Sequence, residues 1–173
     1  MMYIPAFDPF AACYRMLRIL EHMGCAGPVE VDRLRMFDYY LAFPATRVYA
    51  IHLRRDESGF RNLRRRYVPR QANPYQAVVS DRRLFERMRP YQMAALRRLA
   101  ACGVVSPDRL ARGEVRVASQ SRLSQLTCAT GPLPVAGRNV IAWLCHCFRT
   151  TPLGGEYGLK YRTQLMEYKY DGQ

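Results

Sequence analysis

Lysine is almost missing from this chain. Of 27 basic residues only Lys160 and Lys169 are lysines, so the formal charge of +13, set against 14 acids, is carried by arginine. A guanidinium presents a planar fork of donors to phosphate or carboxylate, which points to nucleic acid or an acidic protein surface. The competing reading is an arginine bias set by genomic base composition, with the charge unused. Also missing is any apolar run near the roughly 20 residues a membrane-spanning helix needs. Residues 1–5, Met-Met-Tyr-Ile-Pro, lack the basic start and apolar stretch of a secretory leader. The expectation is a cytoplasmic protein with no membrane partner. Six cysteines at irregular spacing (Cys13, Cys25, Cys102, Cys128, Cys145, Cys147) suit reduced thiols better than a disulfide framework.

Catalytic signatures are missing as well. There is no G-x-x-x-x-G-K-[ST] phosphate cradle, no H-E-x-x-H, and no deaminase-type H-x-E with C-x-x-C. Cys145-His146-Cys147 is a cluster of metal-ligand types. Consecutive helical residues diverge by about 100°, however, so three in a row cannot converge on one ion. His22, His52 and His146 have no serine elbow or loop cysteine to activate, and Glu156 with Lys160 lacks a second acidic metal ligand. The chain reads as a non-enzyme without metal or cofactor.

What is present is a series of short amphipathic helices. Asp8 caps the first, with Pro9 at its first position and Phe10, Cys13, Tyr14, Leu17 and Leu20 on one stripe. Arg15, Arg18 and His22 lie off that stripe, and Gly24 is the stop. Val29–Val31 reads as extended. Asp32 is expected to cap a second helix with Leu34, Phe37 and Leu41 on one face, closed by Pro44. Residues 47–70 then hold eight arginines against Asp56 and Glu57, a local balance of +6. Within them Phe60, Leu63 and Tyr67 keep helical spacing, with Arg61, Arg64 and Arg65 together on another side. Arg47–Leu53 is open to a strand reading.

Asn73-Pro74 marks a turn and the expected boundary between modules. Beyond it come a short helix at Asp81–Met88 and another starting at Pro90, with Met93, Leu96, Leu99 and Ala100 inward. A turn at Gly103, a short helix from Ser106-Pro107 to Arg112 and an alternating Glu114–Val117 follow. Helix, tight turn, short helix and strand is the order of a winged helix-turn-helix. The candidate recognition helix is too short to read a major groove well. A small helix around Leu123 and Leu126 precedes one apolar on several sides at Val140–Phe148, then a Tyr-rich tail (157, 161, 168, 170).

The fold expected is mainly α (α+β), with two small winged helix-turn-helix-like modules packed together. Residues 1–72 form the N-terminal helical module with its basic segment, and residues 73–173 a winged-helix-like module with a buried helix and tail. The candidate contact residues for nucleic acid or an acidic partner are Arg54, Arg55, Arg61, Arg64, Arg65, Arg66 and Arg70. The alternative for this run is an ordinary solvated helix face.

The first helix after Phe7-Asp8-Pro9 and the block Asp32-Arg-Leu-Arg-Met-Phe-Asp-Tyr-Tyr-Leu-Ala-Phe-Pro44 carry a family resemblance. With Asn73-Pro-Tyr-Gln76, Leu84–Met88, Gln92–Ala100 and Gly103-Val-Val105, they resemble the middle components of bacterial ABC-three-component systems over about residues 3 to 120. The resemblance implies a hetero-oligomer with an SMC-like ABC ATPase and an effector that is often a nuclease, as in Lamassu-like defences against phage or plasmids. It implies an accessory subunit that couples DNA sensing to the effector, reaching DNA through the complex, and it carries over no catalytic residue. A free-standing winged-helix DNA-binding regulator is the alternative.

Overall fold

The computed structural model of the protein describes residues 3–24, 26–43, 45–68, 70 and 80–167. A 3-10 turn at Pro5–Phe7 leads into α1 (Pro9–Met23), followed by β1 (Val29–Glu30), α2 (Val31–Ala42) and a 3-10 helix at Ala45–Ala50. Then come α3 (Ser58–Tyr67), α4 (Asp81–Ala101), α5 (Pro107–Ala111), β2 (Glu114–Val115), α6 (Gln120–Ala129), α7 (Val135–Phe148) and α8 (Leu159–Thr163). The protein is mainly helical, as the periodicities predict. Asn73-Pro74 and the tail tyrosines Tyr168 and Tyr170 lie outside the described residues.

The start of α1 follows its local chemistry. Asp8 Oδ1 accepts from the backbone N–H of Phe10 (2.7 Å) and of Ala11 (3.2 Å), and Pro9 sits where no donor is missed. Gly24 closes it at φ 66°, the left-handed region that favours glycine. The buried side departs from the expected stripe. Phe10 is 62% exposed, whereas Met16 and Ile19 are fully enclosed and Arg15 is buried. The cause is position: α1 packs against α2, α4, α6 and α7, so more than one side of it is covered.

Three further expectations change. Asp32 does not cap α2, which begins at Val31 without a side-chain cap; Asp32 instead accepts from Arg35 Nη1 (3.0 Å) within the first turn. Residues 45–50 are a 3-10 helix, which removes the strand reading of Arg47–Leu53. Pro90 does not start a helix but lies inside α4, a single element of 21 residues. Its ring removes the donor that would serve the carbonyl of Glu86. Both residues lie on the solvent face, where water can replace that bond.

Packing runs across the expected boundary. β1 pairs antiparallel with β2, Val29 opposite Val115 and Glu30 opposite Glu114, and a bridge joins Val105 to Val117. The order α4, turn, α5, β2 is the predicted one, but the strand finds its ladder partner in the N-terminal half. One apolar core joins Leu34 and Phe37 of α2 with Phe85 and Leu96 of α4 and with Leu144 and Phe148 of α7.

A polar knot sits within this core. Asp38 is fully buried; it accepts from Arg15 Nε (2.6 Å) and Nη2 (3.2 Å) of α1 and from Gln92 Nε2 (2.9 Å) of α4. Arg35 Nε donates to Gln92 Oε1 (3.0 Å), and its guanidinium lies 4.4 Å from the centre of the Phe85 ring. Arg15 Nη1 also reaches the carbonyl of Pro5 (3.0 Å). Each buried charged side chain of the knot therefore makes hydrogen bonds, the condition under which such groups are tolerated, although Arg35 Nη2 has no partner among the described residues.

Candidate interaction surface

The basic run at 54–70 is built on α3, whose inner edge rests on α7. Phe60 and Leu63 are half-buried there, and Trp143 Nε1 donates to the carbonyl of Phe60 (3.0 Å). The loop before α3 is held from the other end of the chain. Arg162, buried at the end of α8, forks onto Glu57 with both terminal nitrogens (2.8 Å each) and donates from Nε to the carbonyl of Tyr157 (2.6 Å). Burial pushes the Glu57 carboxyl up, but the Arg162 hydrogen bonds, the backbone N–H of Arg54 and the charges of Arg162 and Arg54 together outweigh it and hold the group below its ordinary range.

The seven candidate arginines divide on this scaffold. Arg61 folds back to donate to the carbonyls of Arg54 and Arg55 (2.6 Å each). Arg64 is half-buried and donates to the carbonyls of Val48 (3.0 Å) and Ile51 (3.4 Å), capping the 3-10 helix at 45–50. Its guanidinium lies 4.6 Å from the Tyr49 ring centre and 5.6 Å from that of Trp143, and burial lowers its pKa. Arg54 pairs with Asp56 (3.3 Å), both exposed. Arg55, Arg65, Arg66 and Arg70 are exposed, with Arg66 over Tyr67 and Arg70 over Tyr49, ring-centre distances of 5.4 Å. The structure therefore separates Arg61 and Arg64, which tie backbone together, from Arg65, which the sequence groups with them.

A second basic face lies outside the seven residues that the sequence points to. Arg82, Arg83, Arg87, Arg89, Arg97 and Arg98 are all exposed on α4, opposite the buried Leu84, Phe85, Met88, Gln92, Ala95, Leu96 and Leu99. Splitting α4 at Pro90 hides this face. The signal is in the sequence: the apolar positions 84, 85, 88, 95, 96 and 99 continue one helical register straight across the proline. Arg87 and Arg98 are steadied by the rings of Phe7 and Phe10, each 4.6 Å from the ring centre, and Arg82 reaches Glu167 (2.7 Å).

Cys145, His146 and Cys147 do not share a direction. The two thiols are buried and pushed up by that burial, to about 11 and about 12, which leaves them protonated and unreactive. His146 is exposed and, with His22, Tyr67 and Trp143, borders a cleft of about 590 Å³ between α1, α3 and α7. Among the described residues no three His, Cys, Asp or Glu side chains are grouped to hold a metal ion, and no helix is long and apolar enough to cross a membrane.

Comparison with known proteins adds one finding. The family model for ABC-three component (ABC-3C) system Middle Component 5 matches residues 1–171. No curated protein and no solved structure matches the chain.

Proposed function

This chain belongs to the ABC-three component (ABC-3C) system Middle Component 5 family, and from that premise we propose that it bridges an SMC-like ABC ATPase and an effector nuclease. Membership implies an accessory role in a defence system, alongside that system's other components. The observation that carries the bridging role is the match over residues 1–171, joined to a body with solvent-facing arginine arrays on two different helices. A connector needs at least two surfaces held at fixed separation, and the core shared by α1, α2, α4 and α7 supplies the rigid spacing. The mechanism is conformational. An ATP- or DNA-driven change in the ATPase alters which surface this subunit holds, and the effector is retained or released accordingly.

In this reading Arg54, Arg55, Arg65, Arg66 and Arg70 meet DNA or an acidic partner surface, while Arg61 and Arg64 shape the loop and 3-10 helix beside them. The order α4–α5–β2 favours a second reading, a winged-helix-like DNA-binding regulator acting alone. The five residues of α5 are its weak point, because a recognition helix must reach into the major groove.

The test is co-expression of this chain with the ATPase and effector of its own system, followed by light scattering on the purified assembly. A ternary complex that falls apart without this chain supports the bridge. A free symmetric dimer that binds a defined DNA sequence, with no affinity for the other two, overturns it and establishes the regulator.

A further inference from the structure

The outer face of α4 is a charged surface with no described element packed across it. Arg83, Arg89 and Arg97 have no hydrogen-bond or ion-pair partner among the described residues. Of the two acids on the helix, Asp81 is engaged by Arg47, and Glu86 is the one acid of the exposed face. The arginines fall in two groups. Arg82, Arg83, Arg87 and Arg89 lie on the first half, and Arg97 and Arg98 near the C-terminal end. From Arg89 to Arg97, the facing ends of the two groups, is about 12 Å at 1.5 Å per residue. Between them the exposed surface is uncharged and shallow, formed by Pro90 and Ala94.

The second group borders an apolar depression. Met93, Ala100 and Ala101 of α4 and Pro107, Leu110 and Ala111 of α5 line a cleft of about 570 Å³, with Arg97 at its edge. Basic clusters alone fit a nucleic-acid backbone. This face also has an uncharged gap and an apolar cleft, neither of which a run of phosphates can use. A protein helix can use all three features. Small residues at Pro90 and Ala94 let a second helix lie close, carboxylates at its two ends can take bidentate bonds from the arginines, and an apolar side chain can enter the cleft.

From this charge and shape complementarity we infer that the α4 face, with the α4–α5 cleft, is the docking site for an acidic amphipathic helix of another component of the system. The inference rests on the bridging reading above and adds the chemistry of one partner. Arg87 and Arg98, stacked on Phe7 and Phe10, are ordered before the helix arrives, which lowers the entropy lost on binding.

The experiment uses the full assembly, with Ala94 replaced by p-benzoyl-phenylalanine for photo-crosslinking and the crosslinked peptide sequenced. The expected product joins position 94 to a segment that is helical in pattern, net acidic and apolar on one face. Arg83→Glu with Arg87→Glu should lower partner affinity about tenfold or more, and lysines at the acids of the crosslinked segment should restore it. Ala101→Trp, which fills the cleft, should weaken the same contact without changing charge. A complex that assembles normally but gives no crosslink at 94, or a crosslink to a segment without acids, overturns the inference and leaves the bridge standing. Failure of the three chains to assemble at all overturns both. If the double reversal lowers affinity for a labelled 30-base-pair duplex and leaves partner affinity unchanged, the face belongs to DNA and the inference is wrong.

Discussion

Helices α3 and α4 are the two arginine-rich helices of this protein, and they use the residue in different ways. α3 has ten residues, none of them fully buried, and two of its guanidiniums are spent on carbonyls of the neighbouring backbone. α4 has 21 residues, one side sealed into the core, and an outer face whose arginines are almost all directed at solvent. The denser run in the sequence is therefore the less available one. A guanidinium near an unpaired carbonyl is drawn into the fold, whereas one on a regular helix has no such carbonyl within reach, because the helix has already bonded its own. Arg33 follows the same rule at the end of α7, donating to the carbonyls of Phe148 and Thr151 (2.6 Å each).

The largest expected effect lies on the inner side of α4, where Gln92 completes the knot around Asp38. Asp38→Ala should cost about 3–5 kcal/mol, because it leaves Arg15 charged, buried and without its carboxylate. Urea unfolding of the purified protein measures it. A loss below about 1 kcal/mol would mean that Arg15 finds water or another acceptor, and that the core is looser than its packing.

Next comes α3. Arg64→Ala should destabilise by about 1–3 kcal/mol, since the carbonyls of Val48 and Ile51 lose their donor and Tyr49 loses its stacking partner. Arg65→Ala and Arg66→Ala, at the next two positions and exposed, should stay within about 0.5 kcal/mol. Equal effects at Arg64 and Arg65 would erase the division between structural and exposed arginines.

A smaller effect is set by pH. Glu57 has its carboxyl held below the ordinary 4.5, so its bond to Arg162 contributes fully above that value. The contribution is lost as pH falls through the lower folded pKa. Stability of the parent should therefore drop on acidification through and below about pH 4.5, by more than that of Glu57→Gln, which has no proton to gain there. Parallel curves for the two proteins would show that the clamp adds nothing through its charge.

How much of this was legible beforehand follows from the range of the interactions. The Asp8-Pro9 start and Gly24 stop of α1, the helix at 58–67 and the helical class of the fold are set within a turn or two, and periodicity with capping chemistry found them. Periodicity sets the buried Arg15 off the core because its acceptor, Asp38, is 23 residues away on another helix. Helical spacing groups Arg64 with Arg65 for the same reason: it says where they point, not what waits there. Pro90 misled in the opposite direction. A local rule, that proline starts or ends helices, was overridden by burial of Leu84 to Leu99 along one continuous face. That single break hides the basic face of α4.

The smallest stability changes should accompany the clearest separation of roles. Arg65→Glu with Arg66→Glu on α3, and Arg83→Glu with Arg87→Glu on α4, all replace exposed side chains, and each pair should shift the unfolding midpoint little. Their binding effects should diverge. The α3 pair should weaken duplex association by the assembled complex and flatten its salt dependence, because displaced counterions scale with the phosphates neutralised. The α4 pair should leave that salt slope near the parent value and loosen the protein–protein contact. Titrating labelled duplex against each complex at several salt concentrations, with subunit affinity measured in parallel, separates the two surfaces. If both pairs reduce the salt slope alike, the protein has one continuous nucleic-acid face and the distinction between its basic helices is one of stability alone.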